Sequence, residues 1–239
     1  MKISLLCPTR ERPNWMERVW NSACDTANEK DNLEIVYYID GQDEDFPPDH
    51  AGLAQFEKIK SDQVKAFIGR RYEYFGRMFN KAYEISTGEI CMLCADDLLF
   101  KTEGWDTAVR EAFLKYPDRI ALVWAGDGIC NEALPTHPFL SRAWADTVGY
   151  FACPYLLSAS LDIYVFQIAK GVGRAVYLDK VMIQHLHWSH VTGEVRDKTS
   201  SYRYKYNELN GWLADELKFE KVKAAEKLQK YIKDFKEKN

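Results

Sequence analysis

The sequence predicts an α/β fold whose strands are buried on both faces and whose strand ends carry the chemistry. The first observation behind this is the stretch GEICMLCADDLLF, where a near-continuous apolar run over residues 90–95 stops at two adjacent carboxylates, Asp96 and Asp97. Such a run reads as a strand of a parallel sheet, covered on both sides by helices. The second is that residues 2–7 and 33–39 are also apolar and also stop at polar loops, PTRERP in one case and Asp40-Gly41 in the other. Successive strands that deliver polar residues at their carboxyl ends fit a βαβ nucleotide-binding arrangement. The third is that helical stripes lie between these runs: Trp15, Val19, Ala23 and Ala27 in one, and Tyr72, Phe75, Phe79, Ala82 and Tyr83 in another. Ligands of open α/β sheets bind beyond the carboxyl ends of the strands, so an acid pair there can hold a hard cation, and the cation a diphosphate. The plainer reading of the pair is one helix cap and one solvated acid.

In chain order, the first strand breaks at Pro8, and the loop that follows carries Thr9, Arg10 and Arg12. Guanidinium groups suit diphosphate oxygens because their fork of donors pairs them bidentately. Asn14 reads as a cap of the first helix. The second strand ends at Asp40 and runs into an acidic loop, GQDED, and Pro47-Pro48 marks a connection. Residues 64–68 read as a third strand and residues 70–87 as a helix that Gly88 stops. Residues 105–114 form a helix, residues 120–124 a buried strand, and Ala125-Gly126-Asp127-Gly128 a turn at its end. Residues 131–154, rich in Pro, Trp and polar side chains without periodicity, are expected to form an acceptor-side loop or lid. An apolar helix opens near Leu161, and residues 174–177 and 181–185 read as two strands.

Composition narrows the function. The chain has 239 residues, of which 46% are hydrophobic and 28% charged, with a net charge of -4. This suits one large α/β domain and disfavours a general nucleic-acid binder. No apolar run approaches the roughly 20 residues needed to span a bilayer, and the apolar part of the N-terminus is too short for a signal peptide, so a cytoplasmic protein is expected. Six cysteines, several inside apolar runs, suit buried reduced thiols. Cys91 and Cys94 spell C-x-x-C, but residues three apart in a strand point to opposite faces, which argues against a shared zinc or redox role. No G-x-G-x-x-G or G-x-x-x-x-G-K-[ST] motif is present, so dinucleotide oxidoreductases and P-loop phosphotransferases lose their main support.

The strand with PTRERP, the strand ending in Asp40 and the segment RMFNKAYEISTGEICMLCADD together resemble the family 2 glycosyltransferases of the GT-A type. Arg77, Asn80, Gly88, Ile90, Asp96 and Asp97 occupy the places of that family's pattern, over roughly the first 110 residues. The resemblance implies a Rossmann-like α/β domain with a mixed central sheet and flanking helices. It implies that Thr9 and Arg10 lie beside the nucleotide, where the loop's second guanidinium, Arg12, is also a candidate, that Asp40 hydrogen-bonds the base, that Arg77 reaches base or phosphate, and that Asp96 and Asp97 bind ribose and metal. Ala95 stands where many members carry a further Asp, so the metal falls chiefly to Asp97 and needs another ligand. It also implies a general base at the start of the helix that holds Asp162, with Asp127 as the next carboxylate in line.

His185 and His187 lie two apart at the end of a strand, on one face, in a chain with five histidines. In that position related enzymes supply a further metal ligand, and imidazole matches Mn2+ better than Ca2+. Either histidine fits. Residues 192–204, with Arg196, Asp197 and Lys198, are expected to close over the diphosphate. Beyond about residue 206, Leu209, Leu213, Leu217, Val222, Ala225, Leu228, Ile232 and Phe235 recur at helical spacing among lysines, an amphipathic tail. The expected organisation is thus a GT-A domain over residues 1–205 with a helical extension over 206–239. The expected function is transfer of a sugar from a nucleoside diphosphate sugar, UDP-linked by preference, with Mn2+ or Mg2+, to a saccharide, a protein or a modified nucleic acid. A metal-dependent hydrolase or nucleotidyltransferase using the same acids, and a non-catalytic nucleotide- or carbohydrate-binding module, are the alternatives.

Overall fold

A computed structural model describes residues 1–41, 47–70, 74–156, 160–187, 212–213 and 216–238. Among these residues eight strands form one sheet: β1 (Ile3–Thr9), β2 (Leu33–Asp40), β3 (Val64–Gly69), β4 (Ile90–Leu93), β5 (Leu98–Phe100), β6 (Leu122–Gly126), β7 (Phe139–Ser141) and β8 (Ala175–His185), in the order β3-β2-β1-β4-β7-β6-β8-β5. β1, β2, β3 and β4 are mutually parallel. β7 is antiparallel to both β4 and β6, so β6 and its parallel neighbour β8 run in the direction of β1. Six strands therefore end on the same edge, and β5 returns antiparallel along the end of β8. The sheet is mixed, as the resemblance implied.

Alternation along the strands feeds two cores. Leu5, Cys7, Ile35 and Met92 point to one face, where α1 (Pro13–Asp25), α2 (His50–Ile59) and α4 (Trp105–Leu114) pack. Leu6, Val36, Cys91 and Leu93 point to the other, against α3 (Phe75–Ile85), α5 (Arg142–Val148), α6 (Leu161–Gly171) and α7 (Lys218–Lys238). Cys91 and Cys94 thus sit in opposite cores, and the cysteines are all free thiols. Trp105 is fully buried against Phe100 and Phe139 and donates its indole N–H to the Ala23 carbonyl, so its polar edge costs nothing to bury. α7 contributes Ala224 and Leu228 to the second core. Among the described residues no helix is long and apolar enough to cross a membrane.

Several elements differ from the sequence reading. Residues 131–154 are not an irregular lid: they supply β7, in the middle of the sheet, and α5. A three-residue strand and a seven-residue helix are too short to show a period, and only their pairing partners define them. The two strands expected over 174–185 are one 11-residue strand, whose exposed centre at Asp179 and Lys180 interrupts the apolar pattern while the backbone continues. α1 starts at Pro13, with Pro in the first turn where its missing N–H is harmless, so Arg12 rather than Asn14 holds the cap position. α2 was not anticipated. α3 ends at Ile85, before Gly88, because Ser86 turns extended and returns its hydroxyl to the Tyr83 carbonyl. The acidic loop at 42–46, residues 192–204 and Leu209 lie outside the described residues.

Gly88 is required by close approach rather than by a helix stop. A Cβ there would come within 2.3 Å of Ser4 Oγ, the group to which its N–H donates. Asn80 has a comparable role in tying segments together: its side chain accepts from the N–H groups of Phe151 and Ala152 and donates to the Ala152 carbonyl, fastening α3 to the loop after α5.

At the edge of the sheet opposite the strand-end acids, Glu34 is fully buried and holds β1, β2 and β3 together with residue 87. It accepts from Ser4 Oγ at 2.6 Å and from the Thr87 hydroxyl and main chain, and pairs Lys2 and Lys65 at 2.8 and 2.9 Å. Burial alone would raise its carboxyl, but the donors Lys2, Ser4, Thr87 and Lys65 outweigh it and bring it from 4.5 down to about 2. The folded carboxyl is the stronger acid, so its stabilisation is complete above the unfolded value and is lost as pH falls from 4.5 towards 2. Glu34→Gln is expected to lower stability by on the order of 2 kcal/mol at pH 7 and to flatten acid unfolding across that window, as read by urea melts at several pH values. An unchanged pH profile would refute the assignment.

Candidate active site

The carboxyl ends of β1, β2, β4, β6 and β8 converge on one edge. Thr9, the last residue of β1, donates its hydroxyl to Asp96 Oδ2 at 2.7 Å, and Arg12 Nη1 donates to Asp96 Oδ1 at 2.8 Å. Arg12 Nη1 also lies 3.9 Å from Asp97 Oδ2, and its guanidinium stacks 4.7 Å above the Trp15 ring. Asp96 is therefore held from both sides by the loop after β1. That loop is itself bent: Glu11 adopts a φ of 56°, and its N–H donates to Asp49 Oδ2 at 2.8 Å, where Asp49 caps α2. At the end of β2, Asp40 is buried and forms a short ion pair with Arg10. Arg77 sits in the first turn of α3, its guanidinium 4.6 Å over the Tyr74 ring.

Asp97 lies in the turn between β4 and β5. Because β5 pairs with the end of β8, Leu98 stands opposite His185, and the Leu186 N–H donates to the Asp97 carbonyl at 2.8 Å. The His185 N–H donates in turn to the Asp127 carbonyl at 2.9 Å. This backbone stitching brings His185 Nε2 to 3.4 Å from Asp97 Oδ1. His187 follows past the end of β8, its ring centre 5.3 Å from that of His185.

The sequence reading missed His137. Its ring stands at 86° to His185, with centres 4.7 Å apart. Nδ1 lies 3.1 Å from the Leu93 carbonyl, which can only accept, so Nδ1 carries the proton. Nε2 is buried and meets no hydrogen-bond partner among the described residues. Burial first, and His185 next, push the ring down to about 3, so it is neutral at neutral pH. In the sequence it is one isolated histidine in LPTHPF, and only the pairing of β7 with β4 carries it to the site.

The two candidate base residues differ in what their oxygens do. Asp127 Oδ1 accepts from the N–H groups of Ile129, Cys130 and Asn131 at 2.9, 2.7 and 2.8 Å, and Oδ2 accepts from the Thr136 hydroxyl at 2.9 Å. Although burial opposes it, these bonds pull its carboxyl below the usual range. Its side chain is the organising centre of the 127–136 loop. Asp162 is partly buried in the first turn of α6 and accepts from the Ile163 N–H at 2.8 Å; burial pushes its carboxyl up to about 6.

One pair of side chains at this edge has the spacing of two ligands of a single divalent cation. Two ligands about 2.1 Å from one ion at right angles lie about 3 Å apart, close to the Asp97–His185 spacing. Among the described residues no group of three or more His, Cys, Asp or Glu side chains is placed to hold a metal ion, so these two side chains stand without a third protein ligand of those types.

The family model for glycosyl transferase family 2 matches residues 4–150, which carry Thr9, Arg10, Arg12, Asp40, Arg77, Asp96, Asp97, Asp127 and His137. No curated protein matches the chain. Among solved structures, S. aureus TarS is similar at 16% identity and a TM-score of 0.57, over 79% of this chain and 37% of that one. S. aureus TarS 1-349 in complex with UDP-GlcNAc is similar at 14% identity and 0.57, over 82% of this chain and 62% of that one. The mannosyltransferase PcManGT from Pyrobaculum calidifontis, in complex with GDP-Man and Mn2+, is similar at 14% identity and 0.59, over 93% and 73%. The chain thus spans less than two thirds of these TarS chains, and the likeness carries the fold.

The bonding of Asp127 predicts a structural phenotype. Asp127→Ala leaves three N–H groups and a hydroxyl without their acceptor and is expected to cost roughly 2–4 kcal/mol in thermal or urea unfolding. Asp127→Asn keeps one accepting oxygen and is expected to retain most of that stability together with transfer activity. A folded Asp127→Asn variant without transfer would instead give this carboxylate the chemistry.

Proposed function

Since the chain belongs to glycosyl transferase family 2 and is a glycosyltransferase with a GT-A fold, we propose that it transfers a sugar from a nucleoside diphosphate sugar to an acceptor hydroxyl, with a divalent cation at Asp97 and His185. The juxtaposition of Asp97 Oδ1 and His185 Nε2 at 3.4 Å, beside the Thr9–Asp96–Arg12 network, carries this reading. A bound cation supplies positive charge against the charge that grows on the departing diphosphate. Mixed oxygen and imidazole donors favour Mn2+ over Mg2+.

The other residues take the following roles. Asp40 offers its carboxylate to a base N–H while Arg10 fixes its orientation, a pairing suited to uracil. Asp96, oriented through both oxygens, receives the ribose hydroxyls, and Arg12 and Arg77 turn towards phosphate. His187 stands behind His185 as its neighbour, not as the first ligand. UDP is the preferred nucleotide; the neighbours with UDP-GlcNAc and with GDP-Man support a nucleotide sugar in either form. The domain is assigned to residues 1–205 and the extension to 206–239; among the described residues α7 packs on α5 and α6.

Asp162 is the general base. A carboxyl near 6 is mostly ionised at pH 7 yet basic enough to draw a proton from an attacking hydroxyl. A single base opposite the leaving group favours inversion at the anomeric carbon. Asp127 is unsuited to this step because its oxygens are committed to the 127–136 loop.

Incubated with a panel of nucleotide sugars, the protein is expected to release nucleoside diphosphate slowly in a Mn2+-dependent manner. Asp97→Asn is expected to stay folded and lose the metal-dependent part of donor binding by calorimetry. Release of monophosphate or pyrophosphate would indicate a hydrolase or nucleotidyltransferase, and no product with any donor a binding module.

Asp162→Asn is expected to keep donor and metal affinity while transfer falls about 10²–10⁴-fold. Because the base works ionised, transfer by the unsubstituted protein is expected to fall as pH drops through about 6. Transfer at the normal rate in the variant would assign Asp162 to helix capping alone.

A further inference from the structure

The proposed cation pair needs the ring of His185 turned towards Asp97. Backbone bonds from the His185 N–H to the Asp127 carbonyl and from the Leu186 N–H to the Asp97 carbonyl fix where that side chain begins, but the imidazole can still turn about two side-chain bonds. Among the described residues no hydrogen bond holds the ring, and no third His, Cys, Asp or Glu is placed to hold a shared ion and so fix it from the far side. Its direction is therefore left to packing.

His137 supplies that packing. The two rings meet edge to face, with centres 4.7 Å apart and planes at 86°. Aromatic rings favour this arrangement at centre separations of about 4.5–7 Å, so the contact is attractive in one orientation of His185 and is lost when that ring rotates. His137 cannot follow such a rotation. Its Nδ1–H donates to the Leu93 carbonyl at 3.1 Å, and the main chain beside it is tied by the Leu93 N–H, which donates to the Pro138 carbonyl at 2.9 Å. Both bonds belong to the meeting of β7 with β4 inside the sheet.

The choice of histidine follows from these two contacts. A phenyl ring would offer the edge and no N–H for the Leu93 carbonyl; an asparagine would offer the N–H and no ring. The imidazole supplies both, and its Nε2 is left buried without a partner among the described residues, which costs free energy that a residue filling space alone would not incur.

We propose that His137 is a positioning residue: without touching the ion, it holds the His185 ring in the orientation that brings Nε2 to 3.4 Å from Asp97 Oδ1. This rests on the cation reading given above and adds the support that a pair of ligands needs.

The test uses the full chain with Mn2+ and UDP and reads binding rather than turnover. By calorimetry, His137→Asn, which keeps an N–H and loses the ring, is expected to lower Mn2+ affinity in the presence of UDP by about tenfold or more, while UDP affinity without metal stays as it was. His137→Phe, which keeps the ring and loses the anchor, is expected to recover part of that loss. Unchanged Mn2+ affinity in His137→Asn, an equal fall in its metal-free UDP affinity, or no recovery in His137→Phe would overturn the role of His137 while leaving the cation pair intact. An unsubstituted protein that binds no Mn2+ with UDP would overturn both. Should the variants unfold, NMR of the unsubstituted, metal-free protein decides the matter: nuclear Overhauser contacts between the two imidazole rings are expected, and their absence would overturn the proposal.

Discussion

The site depends on one strand with two pairings. β8 runs parallel to β6 over its first half, slips register where β6 ends between Ala125 and Gly126, and then runs antiparallel to β5. The slip lets the strand pass the end of β6 and reach β5, whose first residue follows Asp97. Everything around Asp97 and His185 depends on this: the Leu186 N–H to the Asp97 carbonyl, the His185 N–H to the Asp127 carbonyl, and the approach of the two side chains. Backbone hydrogen bonds set the spacing, so it does not depend on the rotamers of exposed side chains.

The carboxylates were legible in the sequence and their partners were not. Asp40, Asp96 and Asp97 each follow an apolar run, and burial on both faces is written into the composition of that run. Helices with a continuous apolar stripe, such as Trp105–Leu114, were equally plain, although α2, of the same length, was not. What escaped was set by pairing between distant segments. β7 has three residues and no period, yet it lies at the centre of the sheet and brings His137 to Leu93. β8 reads as two strands because Asp179 and Lys180 face solvent in mid-course. Asp127 looks like a free acid in a glycine turn, and only the fold of the 127–136 loop reveals the N–H groups aimed at it.

Burial acts differently on the chain's acids. Glu34 is wholly enclosed but meets two lysines, two hydroxyls and a main-chain N–H and remains a strong acid, whereas Asp162 meets only the main-chain N–H groups of Ile163 and of its own residue and is shifted upward by burial. The first holds strands together at one edge of the sheet, and the second is the residue proposed as the base. The number of donors, not burial alone, separates the lowered carboxyl from the raised one.

The arginines of the loop after β1 occupy their acids before any ligand arrives: Arg10 pairs Asp40, and Arg12 bonds Asp96 and lies near Asp97. A bare cation approaching Asp97 must come close to the Arg12 guanidinium, and the two repel. A diphosphate removes that conflict, because its oxygens can take Arg12 on one side and the cation on the other. The consequence is an order of arrival. On the proposed reading, metal and nucleotide would enter this site as one species and leave it together, and the arginines would then return to their acids.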